Sequence, residues 1–150
     1  MVEIIRTNAK HQGFRELVEL LDADLAERDG KEHAFYNQFN SIEIIKHAVI
    51  LYKNKELLGC GAFKEYDAYS VEIKRMYTLQ KSRGKGIATK ILNELENWAT
   101  ELGYQRCVLE TGKRQHEAIQ LYQKNGYMII PNYQPYCDVE NSVCFKKKIG

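Results

Sequence analysis

The sequence predicts an α/β (α+β) protein, with one mixed central sheet and helices on both of its faces. Three observations carry this expectation. Residues 14–25 and 87–102 repeat apolar side chains at helical spacing. The middle of the chain reads as two strands joined at a short turn, "KNKE", as a hairpin does. The later half then switches between strand and helix patterns, as a sheet with covering helices requires. A length of 150 residues fits a single domain over residues 1–150.

Taken in order, "VEIIRT" reads as a first strand. In "GFRELVELLDADLAERDG", Phe14, Leu17, Val18, Leu21 and Leu25 mark one helical face, and Gly30 is a plausible stop. "EHAFYNQFNSI" reads as a short second helix. "KHAVILYKNKELLGCGAFKEY" is two strands joined at "KNKE". "YSVEIKRMYTL" alternates as a strand, placing Ile73, Arg75 and Tyr77 on one face and Glu72, Lys74 and Met76 on the other. Ile87, Ala88, Ile91, Leu92, Leu95, Trp98, Ala99 and Leu102 define an amphipathic helix closed by Gly103. "RCVLET" is a strand, "QHEAIQLYQKN" a helix capped by Gly126, and "YMIIP" and "NSVCFKKKI" are the last two strands.

Composition excludes several classes. Hydrophobic residues at 44% and charged residues at 28% are those of a soluble globular protein. A net charge of +2 is too small to argue for a nucleic-acid partner. The N-terminus "MVEIIRTNAKHQ" lacks an apolar signal core, and "AVILY" is too short to cross a bilayer. Cys60, Cys107, Cys137 and Cys144 are widely spaced, with no CxxC pair or neighbouring histidine pattern. They read as small buried hydrophobes in a reducing cytoplasm, with no metal.

The loop "KSRGKGIATKIL" stands out. A helix start leaves its first amides unpaired and carries partial positive charge. Gly84 and Gly86 would let an anion approach the backbone, and Lys81, Arg83 and Lys85 add formal charge. The plain alternative is a basic strand-to-helix turn. GxxxxGK followed by Ser or Thr is absent, so the loop is not a nucleoside-triphosphate P-loop. The third glycine of GxGxxG is Thr89, which argues against a dinucleotide fold.

"RGKGIA", residues 83–88, resembles the R/Q-x-x-G-x-G/A signature of the GNAT acetyltransferases, with Arg83, Gly86 and Ala88 at its defined positions. It follows a strand ending "MYT" and opens a long helix. "EAIQLYQKNGY" resembles the family's second signature, A-x-x-L-Y-x-x-x-G-F/Y. The resemblance covers nearly the whole chain. It implies the GNAT fold, with a splayed parallel strand pair over residues 72–79 and 106–111. Acetyl-coenzyme A would lie between them, as acetyl donor, and an amine would be the acceptor.

By the same resemblance, Arg83, Gly84, Lys85, Gly86, Ile87 and Ala88 cradle the coenzyme's pyrophosphate. Met76, Tyr77 and Thr78 face its pantetheine arm. Tyr122 is the proton donor to the departing thiolate, although a helical-face tyrosine can also simply pack. Glu72 is the candidate base, with Glu110 and a water chain as rivals and a merely paired charge as the plain reading. Many family members carry asparagine where this chain has Gln115, which retains an amide with one more methylene.

The expected function is N-acetyl transfer from acetyl-coenzyme A to an amine, by direct attack. The alternatives are a non-catalytic acyl-coenzyme A binding domain, a protein N-acetyltransferase and a generic nucleotide-phosphate binder. The acidic stretch with Asp22, Asp24, Glu27, Asp29 and Glu32, beside His33, Phe35 and Tyr36, would attract a cationic amine. It points to a small amine or amino-acid-like acceptor over a histone-like tail. A charged solvated face is the plain reading of those carboxylates. A homodimer is compatible with such folds.

Overall fold

The computed structural model describes residues 1–29 and 45–150. In chain order the elements are β1 (Val2–Thr7), α1 (Gln12–Asp29), β2 (His47–Lys53), β3 (Glu56–Asp67), β4 (Ser70–Thr78), a 3-10 turn (Gln80–Ser82), α2 (Ile87–Glu101), β5 (Arg106–Gly112), α3 (His116–Lys124), β6 (Met128–Ile130) and β7 (Ser142–Lys148). The strands form one sheet in the order β1-β2-β3-β4-β5-β7-β6. The expected helix over residues 32–42 and the stop at Gly30 lie outside the described residues.

The sheet is mixed because β4 and β5 run parallel while the other neighbours are antiparallel. β2 and β3 join as a hairpin at Asn54 and Lys55, whose φ angles of 52° and 67° give the left-handed pair that a two-residue turn needs. Two cores flank the sheet. On one face, Phe14, Leu17 and Val18 of α1 pack on Ala48, Ile50, Cys60 and Ala62. On the other, Ile87, Ile91, Leu92, Leu95 and Ala99 of α2 pack on Val49, Leu51, Phe63 and Val71, joined by Tyr122 of α3. Leu102, expected on the apolar face of α2, is 49% exposed and sits past the helix end, just before Gly103 (φ 94°).

The alternation expected along β4 fails halfway. Cys60 faces Tyr77 and Ala62 faces Lys74, so two residues of β4, Arg75 and Met76, oppose the single Gly61. This is a β-bulge, and Arg75 adopts φ 60° to make it. Ile73 and Met76 therefore both join the α2 core, while Tyr77 packs with the α1 core and Arg75 pairs with Asp22 of α1. Glu72, Lys74, Arg75 and Tyr77 share the α1 face. Gly61 makes room for the bulge: a Cβ there would lie 2.5 Å from the Met76 sulfur.

Three of the four cysteines are buried as expected, but Cys137 is exposed. Burial pushes the Cys60 and Cys107 thiols up to about 12 and Cys144 up to about 11. Thiolate, not thiol, reacts with alkylating reagents. Iodoacetamide at pH 8 is therefore expected to label one thiol per native chain and four after denaturation. Rapid native labelling of more than one, read by intact mass, would contradict this packing.

Candidate active site between the splayed strands

β4 and β5 are paired only at Ser70–Arg106, Val71–Cys107 and Glu72–Val108. Beyond Glu72 they separate, because β5 turns to pair along its whole length with β7, from Arg106–Lys148 to Gly112–Ser142. The expected splay is present, and its mouth holds a cavity of about 130 Å³. Leu21 and Leu25 of α1 wall it on one side, Ala118 and Tyr122 of α3 on the other. Four of the residues singled out in the sequence, Glu72, Met76, Gln115 and Tyr122, line this one space, as does Glu110.

Tyr122 is 6% exposed and is held by the rings of Tyr127, at a centroid distance of 5.7 Å, and Phe145, at 5.9 Å. Burial first, and the nearby Glu110 carboxylate second, push its phenol well above the ordinary tyrosine value. The phenol is thus held protonated across the whole working pH range, as a proton donor must be.

Glu72 is 4% exposed. The Tyr133 hydroxyl donates to its Oε2 at 2.7 Å, and Nζ of Lys74 and Lys64 lie 3.7 and 3.9 Å from Oε1. Tyr133 is itself clasped by the rings of Tyr66 and Tyr136. Burial lowers the Lys74 ammonium below its ordinary value, against the raising effect of Glu72. Across the cavity, Ser142 donates to Glu110 Oε2 at 2.6 Å. Gln115 is 7% exposed at the N-terminus of α3.

The glycine loop lies at the other end of β4, outside the cavity wall. Gly84 and Gly86 have φ angles of 80° and 79°, and a Cβ on either would meet nothing within 4 Å. Gly86 is the N-cap of α2, and no side chain caps the first amides of that helix. That backbone fits an anion such as a pyrophosphate. The basic side chains are partly committed elsewhere. Arg83 Nε donates to the Thr78 carbonyl at 3.0 Å, its guanidinium lies over the Tyr77 ring, and Lys81 pairs with Glu56. Of the strand-end trio, Met76 reaches the cavity, Tyr77 turns to the α1 core and Thr78 receives Arg83.

Asp22, read as part of an acidic roof, is tied to Arg75 Nη1 at 3.0 Å. Glu32, His33, Phe35 and Tyr36 lie outside the described residues, as does the side chain of Asp29. Sequence reading missed Arg75, Tyr133 and Tyr136. The two tyrosines sit between β6 and β7, where no periodicity marks them. Among the described residues no histidine, cysteine and carboxylate cluster suits a metal, and no helix is long and apolar enough to cross a membrane.

A sheet opened between two parallel strands, beside a glycine-bearing helix start, is the architecture of the acetyltransferase class expected from the sequence. The chain belongs to the acetyltransferase (GNAT) family, whose model matches residues 14–127. It is 36% identical over 100 residues to the uncharacterized N-acetyltransferase YsnE of Bacillus subtilis (strain 168), covering 65% of this chain and 66% of that one. The match thus spans just under two thirds of that relative. A Klebsiella pneumoniae structure, assigned to the acyl-CoA N-acyltransferases, superposes with a TM-score of 0.84 at 28% identity, over 100% of this chain and 99% of that one. A GNAT family acetyltransferase from Elizabethkingia anophelis, solved with acetyl-CoA bound, superposes with a TM-score of 0.72 at 19% identity, over 98% and 97% of the two chains.

Proposed function

We propose that this protein is an N-acetyltransferase that moves an acetyl group from acetyl-coenzyme A to the amine of a small molecule. The observation that carries this reading is the meeting of Glu72 and Tyr122 in one cavity between the splayed strands. Acetyl-coenzyme A supplies a thioester, whose carbonyl carbon forms a bond to nitrogen as its bond to sulfur breaks. The loop amides from Gly84 to Ala88 hold the pyrophosphate, with Arg83 and Lys85 setting the loop and its charge. The edge of β4 beyond Glu72 receives the pantetheine arm, along Met76, Tyr77 and Thr78, and Gln115 contributes an amide. One amide of that edge stabilises charge developing on the thioester oxygen.

An alkylamine is mostly protonated at neutral pH, since its ordinary value is near ~10.4. Glu72 accepts the proton that frees the nitrogen lone pair, and Tyr122 Oη gives a proton to the departing thiolate. The proton taken by Glu72 passes on to solvent. The second proton, lost from nitrogen after attack, replaces the one Tyr122 gave to the thiolate. The products are the amide, coenzyme A as its thiol and one released proton. Four free thiols suit a reducing cytoplasm as the place of this reaction.

The test follows free thiol while the protein turns over acetyl-coenzyme A with small amines and, separately, with lysine-rich peptides. Small amines should stimulate release. Stimulation by peptides alone would make it a protein acetyltransferase, and tight coenzyme binding without release would make it a binding domain. In the same assay Gly86→Val should weaken the coenzyme at least ~10-fold, equivalent to about 1.4 kcal/mol. Its side chain would project into the open space of the cradle and would also strain φ 79°. A folded variant with undiminished affinity would remove the loop from the coenzyme site.

A further inference from the structure

We propose that Arg75 anchors a carboxylate of the acceptor, so that the amine acetylated here is an amino acid or a similar acid-bearing small amine. This rests on the acetyl-transfer reading and names its substrate class. Arg75 is 7% exposed and lies in the cavity wall with Glu72 and Tyr122. A structural role, pinning α1 to the sheet through Asp22, accounts for Nη1 alone. Nε is buried with no hydrogen-bond partner. A buried donor left unsatisfied is costly, and proteins keep few of them.

The position itself is unusual. A non-glycine residue at φ 60° inside a strand is uncommon, and here the bulge it creates turns an arginine into the cavity and away from the apolar α2 core. A guanidinium offers a planar fork of donors that matches a carboxylate. Asp22 uses part of that fork from a side chain that is 37% exposed, so a ligand carboxylate can share or displace it. The adjacent Lys74, 9% exposed on the same face, adds positive charge beside the Arg75 anchor. An acid group held there leaves the amine end of the molecule within the space that Glu72 and Tyr122 share.

The experiment titrates the coenzyme A-saturated protein calorimetrically with each of the protein α-amino acids and with the matching α-amides. At least one amino acid should bind ~10-fold or more tightly than its amide, the scale of a charge-assisted pair. Arg75→Gln should bring that pair within about twofold. Asp22→Ala, which removes the acceptor and frees Nη1, should tighten the amino acid at least about threefold, an effect of opposite sign that decides the matter if Arg75→Gln does not fold. Amides that bind as well as acids, or a preference that survives Arg75→Gln, would overturn the proposal. Thiol release from acetyl-coenzyme A in the same mixtures separates the two readings. Acid-selective binding without release removes the transfer reading and keeps the anchor. Release with no preference for acids does the reverse.

Discussion

Tyr122→Phe is expected to lower turnover about 100-fold or more, equivalent to about 2.7 kcal/mol in the barrier. The substitution keeps the ring among Tyr127 and Phe145 and removes only the hydroxyl. Core packing is therefore preserved, and the melting temperature should move by no more than a few degrees. Coenzyme affinity should also change little, because a phenol that serves as the proton donor meets charge on the sulfur only as the bond breaks. The informative measurement is a single-turnover rate beside a binding titration. Wild-type turnover in a folded variant would reduce Tyr122 to a packing residue.

Glu72→Gln is expected to lower kcat/KM by about 10²-fold or more and to abolish the acidic limb of its pH profile. The sign follows from the role. A base works only when deprotonated, so the rate rises as pH rises through its titration. Glutamine cannot titrate, and what remains should follow the acceptor amine alone. The amide still accepts the Tyr133 hydrogen bond, so that tie survives. It no longer offsets the buried Lys74 ammonium, so some loss of stability should accompany the loss of rate. Glu110→Gln is the control. A limb that persists in Glu72→Gln and vanishes in Glu110→Gln would transfer the base across the cavity.

Much of this arrangement was legible because its signals are local. The hairpin turn, the glycine loop and α2 each carry their own punctuation, and Gly103 and Gly126 mark helix ends with φ angles of 94° and 91°. Tyr122 falls within the second motif, the family resemblance singled out Glu72, Met76 and Gln115 beside the motifs, and all four meet in the splay. The bulge was not legible, since Arg75 takes a left-handed conformation without glycine or asparagine to announce it. The consequence spread to its neighbours: strict alternation put Arg75 beside Ile73, whereas pairing with Gly61 put it beside Lys74. Tyr133 escaped notice for another reason. Its partner Glu72 is 61 residues away, and only the folded sheet brings them together.

The bulge also changes what a strand can deliver to a cavity. A regular strand advances about 3.3 Å per residue, so it presents one side chain to a given wall only every ~6.6 Å. Glu72 and Lys74 obey that spacing, but Arg75 follows Lys74 onto the same wall with no intervening residue. β4 thereby gains local functional density that no regular strand of its length could hold. The gain requires Gly61 opposite, where a side chain would collide with Met76. Two distant choices in the chain, one residue with no side chain and one with the longest cation, are thus a single geometric device.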